Sequence, residues 1–272
     1  TMKILTCSAQ LQHLEGILRK SLPLALPVFG AVLNINRGNP GHFEVLVDKW
    51  PEFGAMLARP SGEVASGDMG HCRRGVTWCP GTCEVWVLGS TRELHWCNSL
   101  SILEAGFRGY WAPHPRPHTG TPLSPPLTPA SPRPAPGVRV GSLSPSHVDL
   151  LNETWPYGGN ARSRRFLAEI LGRFPQVCLQ DGGGQPIAWV LTDHFGTSTH
   201  SYTLPEHRRR GHMQVALTLA AQRAQARGFP TFGHTALGNR PMQRLQELLG
   251  HQRLPGVCCY ILHNPGLHRD GP

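Results

Sequence analysis

Apolar residues Leu11, Leu14, Ile17 and Leu18 recur at helical spacing behind Ser8. That spacing predicts a capped helix, ended by Pro23 and Pro27. The unbroken apolar run 28–35 predicts a strand. Asn36-Arg37-Gly38-Asn39-Pro40 predicts a tight turn, and 44–48 a second strand closed by Trp50-Pro51. Over 60–137 the periodicity lapses. Proline recurs every few residues from Pro113 to Pro136, which favours extended, unpacked chain. This stretch reads as a linker or as an artefact of a predicted gene. From 138 onward the pattern is regular again. Ser144 and Asn160 stand where helix caps belong, before apolar stripes at Val148–Leu151 and Phe166–Leu171. Strands are predicted at 177–180 and 186–192, joined by the glycine turn 181–184, and at 199–204, 231–235 and 257–262. Helices are predicted at about 212–227, stopped by Gly228, and near 240–249. Helices, antiparallel strands and a strand–helix–strand unit make an α+β layered fold. Three zones follow: 1–59, ordered; 60–137, irregular and expected to be disordered; and 138–272, regular again and read as a C-terminal domain.

Composition narrows the function. The 272 residues carry a net charge of +9, which suits an anionic partner. The charge is clustered at Arg162, Arg164 and Arg165 and again at Arg208, Arg209 and Arg210, with no long basic tail. The aromatic signature of an RNA-binding sheet is absent, so nucleic acid is not the expected partner. No apolar run approaches the ~20 residues of a membrane span. Cys72, Cys79, Cys83 and Cys97, with His71, match no paired zinc spacing, and no metal is expected. The eight cysteines read as reduced thiols.

The segment Leu204-Pro205-Glu206-His207-Arg208-Arg209-Arg210-Gly211-His212-Met213 joins a predicted strand to a predicted helix. Unpaired N–H groups at a helix start, reinforced by the helix dipole, form an anion site. Gly211 admits close backbone approach, and the arginines add charge. A solvated basic turn is the competing interpretation.

This loop resembles the pyrophosphate loop of the GNAT acetyltransferase superfamily, Arg/Gln-x-x-Gly-x-Gly/Ala. Arg208 and Gly211 match, while Met213 fills the last small position. More narrowly, the chain resembles the glycine N-acyltransferase family. The matching stretches are Leu18–Pro23, Asn34–Pro40, Val47–Phe53, Trp155 with Gly158-Gly159-Asn160, Arg164–Phe166, Thr203–Arg208, Gly228–Pro230 and Met242–Arg244. On these motifs the resemblance covers 1–59 and 143–255 and lapses over 60–137. It implies a GNAT-type mixed sheet flanked by helices, with a partial N-terminal subdomain. It also implies transfer of an acyl group from coenzyme A to the amine of glycine or a related amino acid. Acyl-CoA is then the co-substrate, held at Leu204, Arg208, Arg209, Arg210, Gly211, His212 and Met213. Asn239 belongs to the same site if it does not merely shape its turn. The strands at 199–204 and 231–235 would splay to admit the pantetheine arm. The resemblance further implies a mitochondrial location, with the cytoplasm as the alternative, and a monomer is expected.

One departure bears on mechanism. At the family's glutamate position, just before the strand leading into the loop, stands Thr197, which cannot act as a base. His200, Glu206 and Asp193 are the substitute candidates, with His194 also near in sequence. His200 reads either as facing the cleft or as a packed histidine, and Glu206 as a partner of the arginines. No tyrosine follows Asn239 on its helix to protonate a thiolate. Arg37 reads as a turn residue before a substrate contact, and Trp155, Trp189 and Phe166 read as core. An active transferase and an acyl-CoA-binding relative of weak activity are therefore both expectations.

Overall fold

A computed structural model describes residues 3–22, 25–61, 85–88, 110–113, 133–236 and 238–254. The N-terminal part is a four-stranded antiparallel sheet, β1 (Lys3–Leu5), β2 (Phe43–Val47), β3 (Ala55–Pro60) and β4 (Val85–Leu88), in that order. Two helices pack on it, α1 (Ser8–Lys20) and α2 (Leu26–Asn36). Its core gathers Leu14, Leu18, Val28, Phe29, Val32, Val45, Val47 and Met56. The N-cap of α1 is Cys7, so Ser8 is the first helical residue and not the cap.

The apolar run predicted as a strand is helix α2. Every residue from Leu26 to Asn34 is buried, because α1, β2, β3 and β4 surround it. All-round burial erases the 3.6-residue period by which a helix is recognised. Pro27, in the first turn, presets the backbone for helix and needs no N–H partner there.

The second sheet has seven strands in the order β11-β5-β10-β9-β8-β7-β6. They are β5 (Tyr110–Pro113), β6 (Arg139–Gly141), β7 (Gln176–Gln180), β8 (Pro186–Thr192), β9 (Ser198–Thr203), β10 (Gly233–His234) and β11 (His251–Leu254). All neighbours are antiparallel except β9 and β10. Strands β4 and β5 come from the middle stretch expected to be irregular. β10 is shorter than the predicted 231–235. The predicted strand 257–262, the cysteines at 72, 79, 83, 97, 258 and 259, and His71 lie outside the described residues.

Both faces of this sheet are covered. Helices α3 (Val148–Thr154) and α4 (Ala161–Arg173) pack over Cys178, Trp189 and Leu191. Helices α5 (His212–Ala226) and α6 (Arg240–Leu248) cover Val177, Leu179, Ile187 and Val190. Along β7, successive residues Val177, Cys178 and Leu179 thus serve alternate layers, as the period of two requires. Asn160 caps α4, its side-chain oxygen accepting from the N–H groups of Arg162 (3.0 Å) and Ser163 (2.9 Å). This helix–sheet–helix layering is the expected α+β architecture, a mixed sheet flanked by helices.

The two parts meet at the turn between β8 and β9. Gly30 of α2 sits so close that an added Cβ would collide with the Phe195 carbonyl oxygen. Asn34 donates its side-chain N–H to the His194 carbonyl oxygen at 2.8 Å. Phe43 stacks on the His194 ring, 4.9 Å between centroids.

Candidate active site

Strand β9 delivers the chain into the segment singled out by its arginines. Leu204 donates its N–H to the Ile187 carbonyl oxygen at 2.9 Å, holding the loop's start to the sheet. A single 3₁₀ turn follows at Pro205–His207. Arg209 and Gly211 both take the left-handed backbone conformation, φ 61° and 78°, which turns the chain into α5. Gly211 is the helix N-cap, and a Cβ there would meet nothing within 4 Å. The space in front of the helix start is open, so a ligand can approach the backbone there. The first N–H groups of α5, from His212 and Met213 onward, have no intrahelical acceptor.

The loop's cations divide into two roles. Arg208 folds back on β9, donating to the Thr203 carbonyl oxygen (3.1 Å) and to the Tyr202 hydroxyl (3.2 Å), with its guanidinium over the Tyr202 ring. Arg209 and Arg210 are exposed and form no ion pair among the described residues. His212 is buried beside His207, and burial, then the His207 and Arg210 charges, hold its imidazole below the usual histidine range.

Below the loop, β9 and β10 pair in parallel only at Ser198 and Gly233, with the Ser198 N–H on the Phe232 carbonyl oxygen at 2.9 Å. Above that point β9 continues to Thr203 while β10 ends at His234. The β9 edge is therefore without a ladder partner among the described residues, as expected of splayed strands. The β8–β9 register also slips between Trp189 and Leu191, placing His200 and Ser201 opposite Val190. His200 takes φ 43° at this bulge.

The candidate bases lie in three different places. Asp193 is buried in the turn entering β9. Its Oδ1 accepts from the N–H groups of Phe195 and Thr197, both at 2.9 Å. Burial pushes its carboxyl above the ordinary aspartate range, against the pull of those two N–H groups. Thr197 is 1% exposed, and its backbone N–H touches the Asp193 carboxylate. His200 points into the α3–α4 layer, its Nε2 2.6 Å from the Leu151 carbonyl oxygen and its ring stacked on Trp155. Burial lowers it to about 4, so it is neutral at pH 7. Glu206 is exposed on the 3₁₀ turn, away from the turn that holds Asp193. His194 is packed among Phe43, Phe166 and Phe174, with Nε2 3.1 Å from Glu169.

Asn239 is the N-cap of α6, its side-chain oxygen accepting from the Met242 N–H at 3.2 Å. That oxygen serves the helix, as the turn interpretation had it. Sequence inspection missed Tyr202 as the Arg208 anchor and the α2 brace on the Asp193 turn. Asp193-His194-Phe195-Gly196-Thr197 does carry a local signal: an aspartate followed by glycine is a turn that binds its own backbone.

Two family models match the chain. Aralkyl acyl-CoA:amino acid N-acyltransferase matches residues 2–102 and 118–175, and its C-terminal region matches 177–259. The match therefore extends through most of the middle stretch, where the short motifs had lapsed. Mouse glycine N-acyltransferase-like protein Keg1 is 32% identical, covering 93% of this chain and 96% of the relative. Human glycine N-acyltransferase is 30% identical over 90% of this chain and 93% of its own. A Drosophila protein of known crystal structure shares the fold at a TM-score of 0.61 and 10% identity, over 93% of this chain and 95% of its own. Family models spanning both halves agree on one assignment: the chain belongs to the aralkyl acyl-CoA:amino acid N-acyltransferase family.

Proposed function

We propose that the chain, acting as a monomer, transfers the acyl group of an acyl-CoA to the amine of glycine, giving an N-acylglycine and free coenzyme A. The observation that carries this reading is the opening of α5: unspent backbone donors in front of Gly211, with Arg209 and Arg210 beside them. A diphosphate is the anion that such a cluster suits. The human relative bears the name glycine N-acyltransferase, which supports glycine as acceptor. The pantetheine amides would pair with the β9 edge above Ser198, and the bulge at His200–Ser201 would offer an N–H to the thioester oxygen.

In this reading Asp193 takes the place of the missing glutamate. Its carboxylate lies against the backbone N–H of Thr197, the residue at the glutamate's place in the sequence, and burial raises its proton affinity, as suits a base. Glycine's ammonium loses a proton to Asp193, directly or through one water. The neutral amine then attacks the thioester carbon, the C–S bond breaks, and the surplus proton on the amine nitrogen passes to the departing thiolate, giving the amide and the free thiol. His200 serves the core, because its Nε2 is committed to Leu151.

Thr197 itself supports a second reading, an acyl-CoA-binding relative of weak activity. Mixing phenylacetyl-CoA with glycine and trapping the released thiol separates the two. Equimolar thiol and phenylacetylglycine is the expected result. Saturable coenzyme A binding without thiol release would leave the binding reading standing. The resemblance brings a mitochondrial location into the same proposal, which cell fractionation checks.

A further inference from the structure

Helix α5 has a second end. Its 15 residues span ~22 Å, so its C-terminal turn lies far from the pyrophosphate loop. There a small cleft, open to solvent, lies between α5, the β7–β8 face and Asn34 of α2. Its floor is apolar, with Val177, Val190, Ala220, Ala224 and Phe229 among its lining. Its rim carries Arg223 and Arg227, and no acidic side chain lines it.

The polar groups are placed for a ligand. Arg223 spends one N–H on the Gln176 carbonyl oxygen at 2.8 Å, which anchors the guanidinium and leaves its other donors. Arg227 lies over the Phe229 ring, 5.0 Å to its centroid, and forms no ion pair among the described residues. Arg37 covers the same ring at 5.3 Å, and its nearest acid is Glu15, at 3.6 Å. Thr231 is 6% exposed and lines the cleft, yet its hydroxyl has no partner. The Gln176 side-chain oxygen, also in the lining, is likewise buried without one. An orphaned buried hydroxyl beside two cations and an apolar floor calls for an occupant with an anionic head and a greasy body.

We propose that this cleft binds an amphipathic monocarboxylate, its carboxylate on Arg223, Arg227 and the Thr231 hydroxyl and its hydrocarbon on the floor. The site is distinct from the acyl-CoA cleft. It also touches Gly196 and Ser198, which flank Thr197, so occupancy presses on the turn that holds Asp193. This inference goes beyond the transferase reading and does not depend on it.

Calorimetric titration of the full chain with phenylacetate tests it. One saturable site per chain is expected, retained in saturating phenylacetyl-CoA. Arg227→Ala should weaken it at least tenfold. Thr231→Val, which keeps the shape and removes the hydroxyl, should weaken it severalfold without changing the circular dichroism spectrum. Displacement of phenylacetate by phenylacetyl-CoA would place it in the acyl-CoA cleft and overturn the proposal. Absence of saturable binding, or affinity indifferent to both substitutions, would leave the arginines as mere complements to the α5 C-terminus and overturn it too.

Discussion

Two chain reversals bracket β9, and they are built on opposite principles. The one entering the strand, Asp193–Thr197, is buried and pinned from every side. Asp193 binds two backbone N–H groups, Asn34 holds the His194 carbonyl oxygen, and Gly30 fits under Phe195. The one leaving the strand, Leu204–Met213, is exposed over most of its length, with its helix-start donors unspent. A buried polar group must find its partners within the protein, so the first turn can hold a carboxylate in one geometry. A loop that faces water can leave donors for a ligand to claim. Under the proposed reaction, the first reversal handles the proton and the second recognises the cofactor.

The comparison breaks most readily at Asp193. Asp193→Asn keeps the two N–H contacts on the side-chain oxygen and removes the proton acceptor. We expect kcat to fall by about 10²–10⁴-fold with KM for acyl-CoA unchanged. In the parent, the acid limb of the kcat profile should lie above the ordinary aspartate range, because burial raises that carboxyl. A change confined to KM would move Asp193 out of the chemistry. Next in size is Gly30→Ala. The added methyl must displace the Phe195 carbonyl oxygen, at a cost of roughly 1–3 kcal/mol for an overfilled core. Thermal unfolding should shift down, and residual kcat should drop further than acyl-CoA affinity does. Equal losses would mean that the brace does not act on the turn. Gly211→Asp makes the complementary test at the other reversal. A side chain at φ 78° and a like charge beside the diphosphate should raise the calorimetric Kd for coenzyme A about tenfold, with kcat at saturation preserved.

The second reversal was far easier to foresee than the first. A strand, a glycine after three arginines and an apolar helix stripe lie consecutively in the chain, so local pattern was enough. The cap at Asn160 and the apolar run of β8 were legible for the same reason. The first reversal depends on α2, more than 150 residues earlier, and on a glycine whose purpose appears only when Phe195 lies against it. α2 was itself misjudged, since burial on all sides leaves no polar face to mark the period. Strands β4 and β5 were invisible because short strands take their identity from partners distant in sequence. Asp193 was legible as a titratable residue near Thr197, but not as a carboxylate bound to the Thr197 N–H.

The smallest effect concerns pH and stability, and it separates the buried interior around β9 from its wet end. His200 is buried against Trp155 and Leu151, and His234 is half-buried on β10; loss of solvent lowers both to about 4. In the unfolded chain a histidine titrates near ~6.5. Between those values the unfolded chain binds protons that the folded chain refuses. Stability is therefore whole above about pH 6.5 and declines as pH falls toward 4, by a slope approaching one proton per buried histidine. Urea unfolding midpoints across that window should show the decline, and His200→Gln should remove about one proton of slope while still offering an N–H to Leu151. Gly211→Asp, in the exposed loop, should leave the His200 share of the slope in place. An unchanged slope in His200→Gln would mean that the ring exchanges its proton with water in the folded state, and that the interior around β9 is no drier than the loop above it.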